Sequence, residues 1–152
     1  MTDALRHLRQ GALVVATILA LAACASNAPQ KTTLSDRVNT VWTGDLIVLG
    51  RYTAIRLHGV RAPGREEAGG YEALRFTSQF VSGARVSCRL SGARRGGHAT
   101  ATCFADGRDI GAALVGAGLA RDCPHESGGD YAQLETERAR RTLPLPADCR
   151  PR

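Results

Sequence analysis

The opening of the chain narrows most what the rest can become. Arg6 and Arg9 precede a run of 13 residues, Gly11 to Ala23, apolar apart from Thr17. A basic segment, a short apolar core and small residues at a cleavage point read as an export signal that is removed from the mature protein. The run falls short of the roughly 20 residues that a membrane-spanning helix requires, which excludes a polytopic membrane protein. Export matters for the fold because it permits disulfides. The chain carries five cysteines, at 24, 88, 103, 123 and 149.

The end of the run, Leu21-Ala22-Ala23-Cys24, resembles a bacterial lipobox. That resemblance implies cleavage before Cys24 and lipid on its sulfur and amino group. Ala25 and Ser26 follow, with no Asp to favour inner-membrane retention, so the expected location is the outer membrane, facing the periplasm. The membrane is then a partner through the lipid anchor. Giving Cys24 to lipid leaves four cysteines, an even number for an exported chain. The expected organisation is a signal peptide over 1–23 and a flexible, small and polar tether over 24–36. A folded domain over 37–142 and a Pro-rich C-terminal tail over 143–152 follow.

Removing residues 1–23 leaves 18 basic and 13 acidic residues, a net charge of +5. Nearly all the basic residues are Arg, Lys31 being the one Lys. This balance fits an anionic polymer, nucleic acid or an envelope component, without choosing between them. Aromatic residues are 5% of the chain, too few for a base-stacking platform. The apolar fraction, 43%, suffices for a packed core.

Alternation predicts strands within Val38–Leu49, broken at Thr43-Gly44-Asp45, and over Tyr52–Val60 with Ile55 and Leu57 on one face and Arg56 and His58 on the other. Ala62–Gly70 reads as a loop. Leu74, Thr77, Phe80 and Val81 share a face of a helix over Tyr71–Val81. Val86, Cys88 and Leu90 alternate in a further strand, Ser91–His98 reads as a turn, and Ala99–Ala105 as the returning strand. A hairpin centred between Arg95 and Gly96 sets Cys88 opposite Cys103, close enough for a disulfide. Asp109 caps a second helix, which Gly118 stops. A third runs from Tyr131 to about Arg141, with Asp130 and Gln133 placed as a capping box. Cys123 and Cys149 pair mainly by elimination. A zinc site built on Cys123, His125 and Cys149 competes with that reading, and an oxidising compartment favours the disulfide. The element order defines an α+β domain with a small barrel.

Four segments in order resemble the staphylococcal-nuclease-like (thermonuclease) family: Thr43-Gly44-Asp45-Leu46; Ile55 to Gly64; Asp106-Gly107-Arg108-Asp109-Ile110 with Ala113-Leu114-Val115 and Gly118-Leu119-Ala120; and Tyr131-Ala132 with Glu135. The resemblance spans Val38 to Arg141 and implies an OB-type five-stranded barrel with three helices. It also implies metal-assisted phosphodiester hydrolysis. There, two Asp hold Ca²⁺, a Glu assists the attacking water and two Arg grip the phosphate.

Carried over, that site is incomplete. Asp45 keeps one metal-ligand position and Arg56 one phosphate-binding position. The second Asp is Arg61, a cation where a dication belongs. The neighbouring Thr is Ala62, the Glu is Gly64, and the second Arg falls at His98. Glu66 and Glu67 lie about 7–10 Å further along an extended loop, too far to replace the Glu. His58 reads as a solvated or barrel-lining residue rather than a base. Asp45 and Arg56 are expected to form an ion pair. Arg94 and Arg95 at the hairpin tip, with Arg138, Arg140 and Arg141, form either an anion-binding surface or solvated charge.

The resulting expectation is an envelope lipoprotein with a degenerate thermonuclease-like site, a pseudoenzyme that binds an anionic ligand or serves a structural role. An active metal-dependent nuclease with a rebuilt site is the alternative, and an OB-fold module for glycans or peptides a third. No cofactor is expected; Ca²⁺ is what a working family site would hold.

Overall fold

The computed structural model describes residues 32–51 and 53–151. The expected signal peptide, Cys24, most of the expected tether, Tyr52 and Arg152 lie outside the described residues.

Strand β1 (Thr33–Asp36) is followed, after Arg37 alone, by β2 (Val38–Thr43), then β3 (Leu46–Leu49) and β4 (Thr53–Leu57). The short β5 (Val60–Arg61) leads through a loop to helix α1 (Gly70–Phe80). A long hairpin, β6 (Val86–Arg95) and β7 (His98–Ala105), precedes β8 (Arg108–Asp109) and helix α2 (Ile110–Gly116). Then come β9 (Arg121–Asp122), α3 (Pro124–Ser127) and α4 (Glu137–Thr142), with single 3₁₀ turns at Ala132–Leu134 and Ala147–Cys149.

The fold is a mixed α+β domain built on a mostly antiparallel sheet in the order β1-β6-β7-β4-β3-β2, with β8 beside β7 and a separate β5–β9 pair. The β4–β7 pairing is parallel. The outermost strands of that order, β1 and β2, are consecutive in the chain.

Every residue of β3, Leu-Ile-Val-Leu, is buried, because the strand is covered on both faces. Ile47, Ile55, Leu57, Val86, Ile110 and Leu114 are almost wholly buried at the centre of the core. Each such side chain contributes about 1.5–3 kcal/mol by leaving water. Helix α1 seats its buried Ala73 and Thr77 against the β2–β3 turn. Only glycine fits at position 44, since a Cβ there would lie 2.7 Å from the Ala73 Cβ and 2.9 Å from that of Ala62. The Thr77 hydroxyl donates to the Gly44 carbonyl at 2.8 Å. The turn that presents Asp45 is thereby clamped to a helix.

Both expected disulfides are present, Cys88–Cys103 and Cys123–Cys149. Three expectations require correction. Residues 33–36, assigned to the tether, form β1 and pair with β6 from Asp36↔Val86 to Thr33↔Arg89. The segment Ser91–His98 is not a turn: β6 continues to Arg95 and the connection is Gly96-Gly97 alone. Cys88 does face Cys103, but the register shifts between Leu90 and Arg94, where β6 carries two residues more than β7. This bulge moves the hairpin centre one position onward, and Gly92 within it has φ +83.

The third helix is also not continuous. Glu135 and Thr136 are extended, and α4 starts afresh with the Thr136 hydroxyl accepting from Ala139 N at 3.1 Å. Glu135 is diverted by its carboxylate, which accepts from Arg121 Nε and Asp122 N, each at 2.7 Å. On the inward face of α1, Thr77 and Val81 are buried and Phe80 packs against the core as expected, and Ala73 is buried with them, Leu74 being half-buried. Asp109 caps α2 as expected, accepting from Ala112 N at 3.0 Å.

Candidate functional site

The site grows from the clamped turn. Asp45 is 1% exposed and both of its oxygens are engaged. Oδ1 accepts from the Thr43 hydroxyl at 2.8 Å. Oδ2 accepts from Arg56 at 3.0 Å and from Arg95 at 3.2 Å. The expected Asp45–Arg56 ion pair therefore exists, and a second guanidinium shares its carboxylate.

Arg95 is the residue that alternation along β6 does not reveal. It reaches from the end of β6 to the β2–β3 turn, donating also to Val60 O at 2.9 Å and to Glu126 Oε1 at 2.9 Å. Burial pushes its guanidinium below the ordinary arginine range, while Glu126 and Asp45 oppose that shift. Glu126, on α3, also accepts from Gly59 N at 3.1 Å. Asp45, Arg56, Arg95 and Glu126 thus form one chain of ion pairs tying four separate elements together.

His98 takes no part in it. The ring packs edge-on against Trp42 with centroids 6.0 Å apart. The second arginine beside Arg56 is Arg95, three residues earlier, which the bulge in β6 carries to the site. His58 Nδ1 lies 3.9 Å from Glu126 Oε2, beyond hydrogen-bond reach, on a half-buried ring.

A cleft of about 370 Å³ opens beside Asp45 and Arg56. Arg61, Glu67 and Pro144 are among its walls, with Pro63 and Gly64 between them. Arg61 donates to Asp148 Oδ2 at 2.7 Å. The loop is not extended here. Glu67 N donates to Gly64 O at 2.9 Å, closing a turn, and the Glu67 carboxylate accepts from Gly64 N at 2.8 Å. A Cβ on Gly64 would lie 3.4 Å from the Glu67 carboxyl carbon, so Glu67 fills the space that the absent side chain leaves. The turn thus brings the Glu67 carboxylate to Gly64, which the expected extended loop would keep about 7–10 Å away.

Ca²⁺, which the family resemblance implies, does not fit these residues. A hard cation takes several oxygen ligands, carboxylates foremost. Asp45 already bears two guanidinium groups, and Arg61 adds a third cation to the same cleft. Among the described residues, no group of three His, Cys, Asp or Glu side chains is disposed to hold a metal. Cys123 and Cys149 are spent on a disulfide, which removes the zinc reading.

The arginines of the last helix are mostly committed: Arg140 pairs with Glu135, and Arg141 with Glu137. At the hairpin tip, Arg94 donates to the Gly97 carbonyl.

No family model and no curated protein matches this chain.

Proposed function

We propose that this chain is an exported envelope lipoprotein, anchored through Cys24, whose thermonuclease-like domain holds an anionic ligand in the Arg56–Arg61 cleft and does not hydrolyse phosphodiesters with a metal. One observation carries this reading: the carboxylate at the retained metal-ligand position is neutralised by Arg56 and Arg95. What the cleft offers a ligand is therefore guanidinium edges.

The OB-type barrel is supported by connectivity. Strands β2, β3, β4, β7 and β6 are neighbours in that order, β4 and β7 run parallel, and β1 pairs with β6 while leading directly into β2. One almost continuous strand then borders both ends of the sheet. Arg56 and Arg61 are 16% and 22% exposed, enough to present an edge to the cleft and little enough to be partly desolvated. Charge-assisted bonds to phosphate or carboxylate are strong in such a setting. The two disulfides agree with an oxidising compartment.

The test is calorimetric titration with inorganic pyrophosphate. Saturable binding that Arg56→Ala and Arg61→Ala each weaken supports the cleft, and equal binding by all three proteins refutes it. For the anchor, Cys24→Ser should release the full-length protein from the membrane fraction and remove a lipid-sized mass.

A second reading, an active phosphodiesterase with a rebuilt site, is favoured by Glu67, whose carboxylate fills the space beside Gly64. Purified protein with single- and double-stranded DNA and RNA, with Ca²⁺, Mg²⁺, Mn²⁺ or chelator, decides it. The expected outcome is no turnover. Turnover lost in both Glu67→Gln and Arg56→Ala would replace the first reading by the second.

A further inference from the structure

The C-terminal segment does more than end the domain. It is tied at both ends and crosses the cleft between them. At its start, Arg121 donates to the Leu143 carbonyl at 3.0 Å. At its end, Cys149 is bonded to Cys123. Between these points, Leu143, Pro144 and Pro146 form part of the cleft wall. Pro144 and Pro146 have no N–H, so the crossing itself adds no amide bonds at those residues.

The remaining polar tie is Asp148 on Arg61, and it differs from the rest of the site. The Asp148 side chain is 55% exposed, while Arg61 is 22% exposed. An exposed carboxylate sits on an arginine that lines an anion-sized cleft, delivered there by the residue next to a disulfide. Such tethering gives Asp148 a high effective concentration at Arg61. Because the partner is solvated and singly bonded, the contact is weak enough for a free anion to displace.

We propose that Asp148, carried by the segment that walls the cleft, holds on Arg61 the place of the ligand's anionic group. This rests on the anion-binding reading above and adds competition to it. Ligand binding then exchanges one charge-assisted bond on Arg61 for another, and the Asp148 carboxylate turns to solvent while the disulfide beside it keeps it within reach. The competitor also describes the ligand: an anionic group that bonds Arg61 beside a wall that Leu143, Pro144 and Pro146 make partly apolar.

The experiment titrates the mature lipoprotein in detergent micelles with inorganic pyrophosphate. The proteins are the unchanged chain, Asp148→Asn, Asp148→Glu, and Asp148→Asn combined with Arg61→Ala. Asp130→Asn, which removes an exposed charge on the loop before the Ala132–Leu134 turn, controls for net charge. Asp148→Asn should bind about two- to fivefold more tightly, the range set by the worth of an exposed ion pair. Asp148→Glu and Asp130→Asn should stay near the unchanged protein, and the combined variant should lose the gain. Hydrogen exchange over residues 145–150 should rise when pyrophosphate saturates the unchanged protein.

If the unchanged protein binds through Arg56 and Arg61 but Asp148→Asn gains nothing, the competition is refuted and the anion site stands. A gain that survives Arg61→Ala, or that Asp130→Asn matches, also refutes it. If neither the unchanged protein nor Asp148→Asn binds, the anion-binding reading falls and takes this one with it.

Discussion

Two arginine–aspartate pairs flank the same cleft with the same chemistry and opposite surroundings. Asp45 is 1% exposed, carries two guanidinium partners and rests in a turn clamped by α1. Asp148 is 55% exposed, has one partner and rides on a segment with little regular structure. A buried pair has already lost its water, so removing one member strands the other. An exposed pair gives up little when broken, because water replaces the lost partner. The first arrangement fixes the β2–β3 turn to β4 and β6, and the second can be exchanged for a ligand.

The largest effect should come from the buried side. Asp45→Ala leaves Arg56 without a carboxylate and Arg95 with Glu126 alone. The expected loss is about 3–5 kcal/mol of unfolding free energy, read by urea denaturation. A loss below about 1 kcal/mol would place Asp45 in the same energetic class as Asp148 and erase the contrast.

Next come the disulfides, which separate the clamped part of the domain from the tethered part. Chain entropy assigns roughly 3.5 kcal/mol to the 26-residue separation of Cys123 and Cys149, and roughly 3 to the 15-residue separation of Cys88 and Cys103. Global stability should therefore drop similarly in the two double Cys→Ala variants. Local protection should not. The β6–β7 ladder holds the hairpin without its sulfur bridge, so its amides stay protected. Residues 143–150 should lose protection once Cys123–Cys149 is gone. Protection retained over residues 143–150 without the Cys123–Cys149 bridge would show that the tail has anchors besides it.

Thr77→Val should cost about 1–3 kcal/mol, because it keeps the shape of α1 and leaves the buried Gly44 carbonyl without its donor. The same variant loosens the turn under Asp45, so pyrophosphate affinity should weaken with it. Unchanged affinity would mean that Asp45 is held by its arginines rather than by the helix.

How much of this was legible in the chain follows the range of each interaction. Alternation read β2, β3 and β4 because those are local patterns, and hairpin symmetry set Cys88 opposite Cys103 although the hairpin turns one position further on. The Asp45–Arg56 pair was legible because the two residues close one hairpin. Arg95 was not, since its arrival at Asp45, 50 residues away in sequence, depends on a bulge two residues long. Alternation carries no mark of that insertion beyond Gly92. Glu67 was missed because its turn is made by a side chain bonding Gly64 N, an option that residue spacing along an extended loop ignores. The break before α4 has the same origin. Glu135 and Thr136 belong to a good helical pattern, but bonds to Arg121 and Asp122 outweigh the helix they would continue.

The smallest stability effect belongs to Asp148, and its pH dependence tests the contrast most finely. Partial burial raises the carboxyl, but the hydrogen bond and charge of Arg61 outweigh it and leave it below the usual carboxylate range. A lowered folded-state value means that the charged form is favoured by folding. Its contribution is fully present above the unfolded value, about 3.9, and disappears as pH falls through the lowered one. The unchanged protein should therefore exceed Asp148→Asn in stability by at most about 1 kcal/mol at neutral pH, and the two should converge in acid. Asp122 has the opposite sign. Burial raises its carboxyl against the Ser127 hydrogen bond, so folding favours its protonated form and that contribution fades as pH rises. Comparing Asp148→Asn with the unchanged protein cancels the Asp122 behaviour, which both share. Denaturation midpoints for the pair, measured from neutral to strongly acidic pH, should show a gap that closes only on the acid side. A gap that is constant with pH would mean that the substitution acts through packing of the Leu143–Cys149 segment and not through the charge on Arg61. A gap above about 3 kcal/mol would make Asp148 a structural member like Asp45, too firmly held for a ligand to displace.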